Sequence, residues 1–264
     1  MNNHQYSPKF VLPVGLGSLG FLMILISELI VIVHGTKIVQ VSWLASVLIM
    51  ISTLIIRFYS VDLDQFDQII QDTNPVKGSG LTSLRYLNWM TLAMVIGFFA
   101  TVTIAFDFII GVLVYLVMQI CLIISFTGIF LIKPSELLTD SNLGNSFIMS
   151  LVFWLIAVPA IYFTLIYNDI ESLIVIPYVI AIGTMACISW FGIGYNQRSR
   201  TFRWMIVVAS LLFVFSDTLI GNARYGSIRL GLTQLIDVTY VLNIFLMSHA
   251  TLFLKDTLGH TPFK

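Results

Sequence analysis

In a chain of 264 residues, 58% are hydrophobic, only 10% are charged, and 13 basic side chains balance 13 acidic ones. With a mean hydropathy of +0.96, this composition excludes a water-soluble globular domain and predicts an all-α polytopic integral membrane bundle. Zero net charge without a basic tract offers nothing to a nucleic-acid partner.

The polar start MNNHQYSPKF leads into an apolar run without the short core and small-residue cleavage site of a secretory signal, so that run reads as a helix. A span needs ~20 residues to cross ~30 Å of hydrocarbon. Runs of that kind lie at about 11–33, 38–57, 85–106, 108–132, 146–167, 172–195, 203–221 and 232–254. Eight transmembrane helices are expected, in one membrane domain covering 1–264. The joints are His34–Lys37, a long acidic segment, Asp107, Lys133 through Asn145, Asn168-Asp169, Asn196–Arg200 and Asn222–Arg229. An even count puts both termini on one side. That side carries Lys9, Arg57, Lys77, Arg85, Lys133, Arg198, Arg200, Arg203, Lys255 and Lys264, against Lys37, Arg224 and Arg229 on the other. The positive-inside rule makes the termini cytoplasmic, in a plasma (bacterial inner) membrane.

Several features along the chain have a plain structural reading. GLGSLG at Gly15–Gly20 resembles a phosphate-gripping loop but lies in the first apolar run, where small residues serve close helix packing. The cytoplasmic loop over about 58–84 carries Asp62, Asp64, Asp67 and Asp72, with Phe66, Ile69 and Ile70 among them at roughly helical spacing, so a short interfacial helix is expected. Its DxDxxD string has the oxygen ligands of a hard-cation site, but no glycine-turned calcium loop follows, and a solvated acidic loop is the simpler reading. One residue, Asp107, separates two long apolar runs; capping or snorkelling is its expected role. Cys121 and Cys187 sit inside apolar runs, away from any CxxC spacing, and read as small buried hydrophobes.

Chemistry is narrowed by what is missing from the sequence. His4, His34, His249 and His260 are too scattered for a metal cluster, and only His249 falls within a span, so neither a zinc site nor a cofactor is implied. There is no GxSxG elbow, and Ser216 has no nearby histidine to act as base. Carboxylates remain. A charged carboxylate at membrane depth costs about 2.5–3.5 kcal/mol on insertion scales, so it normally faces a bundle interior or a wet cavity. Glu28 lies in the outer half of the first span, Asp217 near the outer end of the seventh and Asp237 near the outer start of the eighth. Tyr178, His34, Arg224 and Arg229 fall at similar depth, and together these residues can line a pocket open to the outer half. Asp217, in the run LLFVFSDTLIGNARY that ends in a basic loop, is either a structural carboxylate paired with Arg224 or a functional acid. Two acids in a poorly hydrated site can divide the roles of general acid and base, enough to protonate an ether-like oxygen or activate water. Asp217 and Asp237 head that list, with Glu28 as a further carboxylate. On the eighth span Asp237, Tyr240 and Ile244 share a face, and Asn243 lies about two turns deeper than Asp237 on a neighbouring stripe. Substrate contacts are expected from Ser216, Tyr240, Asn243, Tyr178 and Arg224.

The run ASLLFVFSDTLIGNARY, followed by the TY of DVTYVLNIFL, resembles the last two helices of the YhhN-like lysoplasmalogenase family, whose pattern is roughly GAxLFxxSDxxLAxxRF and then TYYxAQ. PYVIAIGTM at Pro177–Met185 resembles that family's VYxxxIxxM segment, so the similarity covers about the last 90 residues. It implies an eight-span protein that hydrolyses the vinyl-ether bond of lysoplasmalogens, with Asp217 as the acid of the SD motif and Ser216, Thr239 and Tyr240 also matching. There are departures. The family's SxxGD motif is SFTGIF here, with Ser125 and Gly128 present and Ile129 in place of the acid. Asn243 stands where the family has glutamine, and the family's histidine-bearing helix has no counterpart. Isoleucine transfers no proton, so hydrolysis would need Glu28 or Asp237 as second carboxylate. RYLNW at Arg85–Trp89 resembles the RYxDW of microbial rhodopsins, with Asp237 in the role of counter-ion, but all six lysines lie at span ends or in loops, out of reach of a Schiff base with retinal. Two functions follow. One is a lipid-directed hydrolase using Asp217; the other is a non-enzymatic membrane protein, whether a subunit of a membrane complex, a lipid binder or an opsin-like sensor without pigment. Membrane lipids are the expected partners, and a homo-oligomer or partner subunits fit either function.

Overall fold

A backbone in hydrocarbon must satisfy its N–H and C=O groups within its own segment, and each long apolar run accordingly forms one helix. The computed structural model describes residues 11–35, 39–59, 79–130, 141–165, 170–195, 198–225 and 234–254. They form α1 (Val11–His34), α2 (Val39–Tyr59), α3 (Ser79–Ile104), α4 (Phe108–Ile129), α5 (Ser141–Leu165), α6 (Ile170–Phe191), α7 (Arg200–Tyr225) and α8 (Gln234–Ala250), with no strand among the described residues. Seven of the eight are long and apolar enough to cross a membrane, and in α5 the apolar stretch Ser141–Ile156 is shorter. At 1.5 Å per residue, however, the 25 residues of α5 extend about 37 Å. The expected acidic-loop helix and the DxDxxD string, with Asp62, Asp64, Asp67 and Asp72, lie outside the described residues, as do all six lysines.

Seven helices close a ring in the order α1, α2, α3, α4, α6, α7, α8, and α5 leans on α6 and α7 from outside. Chain neighbours run antiparallel. Ser52 Oγ of α2 donates to Pro13 O of α1 at 2.7 Å, and the two helices approach closely where a Cβ on Gly20 would stand 2.9 Å from Ala45 O. Gly17 faces His249 and Phe245, whereas Gly15 meets open space, so only part of the GLGSLG string serves packing. The break at Asp107 is a helix cap: its carboxylate accepts from Ile110 N at 2.9 Å after α3 has ended at Ile104. Cys121 is buried and Cys187 half-buried; both are free.

One boundary differs in a way that matters for the site. The sequence suggests a loop from Asn222, but α7 continues through Tyr225. Gly221-Asn222 resembles a turn, yet an arginine in the last turn is favoured by the helix dipole, and the extra turn carries Arg224 and Tyr225 in helical register with Asp217.

Candidate active site

On α7 the positions that point to α4 and α6 are Val214, Asp217, Ile220 and Gly221, ending at Tyr225; across from them stand Val112 and Tyr115 of α4 and Val175, Tyr178, Val179 and Ile182 of α6, with Ile104 of α3 and Phe108 closing the side. These side chains border a small, partly open chamber of about 30 Å³. Aromatic rings bound it at both ends. Toward the α3–α4 turn Phe108 meets Tyr225 edge-on at 5.8 Å, and the Arg224 guanidinium lies over Phe108 at 5.2 Å. Three turns deeper on α7, Phe213 approaches Tyr115 at 6.4 Å. The walls between are apolar except for Asp217 and Tyr178.

The Tyr178 hydroxyl donates to Asp217 Oδ2. A carboxylate in an apolar wall needs such a partner, and the i, i+39 spacing of the pair reflects antiparallel packing of α6 on α7. Behind Tyr178 a hydroxyl network continues into the bundle: Thr101 of α3 contacts Tyr115 at 3.0 Å and Tyr240 of α8 at 2.9 Å. The residues expected at the site therefore fall into two groups. Asp217, Tyr178 and, at the mouth, Arg224 are brought together, with Tyr240 one shell behind. Of the two readings of Asp217, the structure gives the acid Tyr178 as its partner, while the Arg224 guanidinium lies over the Phe108 ring.

The others sit elsewhere. Ser216 is buried against α8, where its hydroxyl donates to Ile236 O at 3.1 Å. Asp237 faces α2 and accepts from Ser42 Oγ at 2.7 Å. Glu28 is buried on α1, a helix whose neighbours are α2 and α8. Asp217 is thus the one carboxylate among the residues lining the chamber. Ile129 is buried on α4, 14 residues or about 21 Å beyond Tyr115 along the helix. Ser125 there donates to Tyr86 O at 3.0 Å, and Gly128 lies beside Arg85. The SFTGIF and RYLNW strings thus meet each other at the far end of the bundle from the chamber. Sequence reasoning passed over Thr101, Tyr115 and Gln119. A glutamine in the middle of an apolar span was the available signal. Among the described residues no group of three His, Cys, Asp or Glu side chains converges as a metal site.

A family model for the YhhN family matches residues 77–251, two thirds of the chain, and the chain belongs to that family. The match reaches back to the start of α3, well beyond the last 90 residues in which the resemblance is legible, and leaves α1 and α2 outside. No curated protein and no solved structure matches the chain.

Proposed function

We propose that this protein is a lysoplasmalogenase-type hydrolase that brings the vinyl-ether end of a lysophospholipid to the chamber between α4, α6 and α7. The observation that carries this reading is a lone carboxylate, Asp217, set in an otherwise apolar chamber and held by Tyr178. With Oδ2 fixed by Tyr178, Oδ1 delivers a proton to the vinyl carbon remote from the ether oxygen. Water adds to the oxygen-bearing carbon of the resulting oxocarbenium ion and returns a proton to the carboxylate. The hemiacetal then breaks its bond to the glycerol oxygen, releasing fatty aldehyde and the glycerophospho-alcohol. Tyr178 takes the orienting role that a second acid would otherwise fill, and Asp237 and Glu28, on the α1/α2/α8 side, are left to packing. Arg224 at the mouth suits a phosphate head group. The charge distribution of the joints supports cytoplasmic termini and, with them, a mouth turned outward.

A second reading is a lipid-binding relative without catalysis, favoured by the absence of a second carboxylate among the chamber-lining residues. Aldehyde release from a lysoplasmalogen by the purified protein separates the two. The hydrolase reading expects release, with no cleavage of the saturated alkyl-ether analogue. Binding of both lipids with no aldehyde from either would leave the lipid-binder reading.

A further inference from the structure

Phe213 of α7, Tyr115 of α4 and Tyr240 of α8 form a triangle of rings, with centroids 6.4, 5.8 and 6.0 Å apart. One helical turn beyond it, away from the chamber mouth, each of the three helices places a polar side chain: Ser210 on α7, Gln119 on α4 and Asn243 on α8. The spacings are i−3, i+4 and i+3, which keep each residue on the face of its ring-bearing neighbour. All three are fully buried. Ser210 is satisfied by its own helix through Ile206 O at 2.8 Å. Gln119 and Asn243 are not: both the oxygen and the nitrogen of each amide lack a hydrogen-bond partner in the protein. The Gln119 amide also lies beside the Tyr178 hydroxyl without meeting it in a well-formed hydrogen bond.

Leaving a buried amide group unpaired carries its full desolvation penalty, and here two complete amides on different helices carry that cost at one depth. Apolar side chains of the same shape would remove it. Buried donors and acceptors left open at one depth on neighbouring helices are what an ordered water satisfies, with two to four partners each.

We infer that Gln119 and Asn243, with Ser210, hold an internal water site beneath the ring triangle, reached by Tyr178 from the side opposite the lipid. It rests on the hydrolase reading for its purpose, the supply of water to a chamber whose walls exclude it, though the site itself is measurable without turnover. Lipid and water then approach Asp217 from different compartments, and an incoming chain does not have to displace the nucleophile. In the hydrolysis assay Asn243→Leu lowers kcat about tenfold and leaves KM, because water and not lipid has been removed.

Pulsed radiolytic hydroxyl-radical labelling of the detergent-solubilised protein tests the site, since radicals formed from bound water oxidise adjacent side chains. Tyr240 and Phe213, buried and outside the chamber lining, are the reporters; Phe202 and Phe126, fully buried elsewhere, are the dry controls. The wild type is expected to label at Tyr240 and Phe213 well above Phe202. Gln119→Leu and Asn243→Leu are expected to lower that label at least about fivefold as the water's partners are lost. Gln119→Met, unbranched and similar in length, repeats the measurement should Gln119→Leu fail to fold. Reporters that label no more than Phe202 in the wild type, or that label equally in the folded variants, overturn the inference. Aldehyde assayed on the same samples judges the reaction separately: release without labelling refutes the water site alone, and labelling without release supports it while refuting the hydrolase.

Discussion

The junction of α1, α2 and α8 and the space between α4, α6 and α7 both place polar side chains deep in an apolar bundle, with opposite results. At the junction His249 uses both ring nitrogens: Nε2 meets Ser52 Oγ at 3.1 Å and Pro13 O at 3.3 Å, while Nδ1 meets Ser248 Oγ at 2.9 Å and Phe245 O at 2.8 Å. Gly17 lets α1 close onto the ring. With the ring bonded on both sides, the buried histidine is a fastener. Between α4, α6 and α7 the polar groups instead border a chamber, and the amides behind it are left unpaired. Polarity at membrane depth is therefore ambiguous by itself; polarity next to volume, with bonding capacity unspent, distinguishes a site from a knot. The family match points the same way, since it begins at residue 77 and omits α1 and α2.

The sharpest way to break this contrast is Asp217→Asn, which keeps the shape of the side chain and removes its proton transfer. Aldehyde release should fall by about 10²–10⁴-fold, the range of a general acid, with thermal stability nearly unchanged. Equal activity would place the chemistry elsewhere. His249→Ala should do the reverse: a loss of about 2–4 kcal/mol of stability, from the cavity and the lost ring hydrogen bonds, read as a lower thermal midpoint. If turnover per folded molecule fell as well, the junction would be part of the site. Tyr178→Phe removes one hydrogen bond to a carboxylate, worth about 1.5–3 kcal/mol, and should lower kcat about ten- to hundredfold. The smallest effects belong to residues that face away. Ser216→Ala should cost about 1 kcal/mol of stability through the lost bond to Ile236 O, and Asp237→Asn should leave aldehyde release within about twofold. A large loss in Asp237→Asn would restore it as the second carboxylate.

The helices were legible because hydrocarbon permits so few backbone structures. Asp107 was legible as a cap because a single acid between two long apolar runs has little else to bond. The end of α7 was not: Gly221 and Asn222 are turn formers in water, and here the helix runs on to Tyr225, which packs on Phe108. At the site, Asp217 and Tyr178 were visible as polar residues at similar depth. The direction of Asp237 was hidden, because a residue on α8 turns to α2 or to α7 according to how the helices pack, which periodicity does not encode. Tyr115 and Gln119 were hidden for the opposite reason, since at i and i+4 in a uniformly apolar span they resemble any buried stripe.

The central claim is a location, that the lipid chain lies beside Asp217, and a lysophospholipid carrying a photoreactive diazirine on its chain tests it directly. Irradiation followed by peptide mapping should place crosslinks on the chamber faces of α6 and α7, at Val179 and Ile220 among others, and saturating unlabelled lysolipid should compete them away. Crosslinks confined to the outward groove between α3 and α4, at Ile96, Leu113 and Val117, would mean that the chain only coats the protein and would contradict the account.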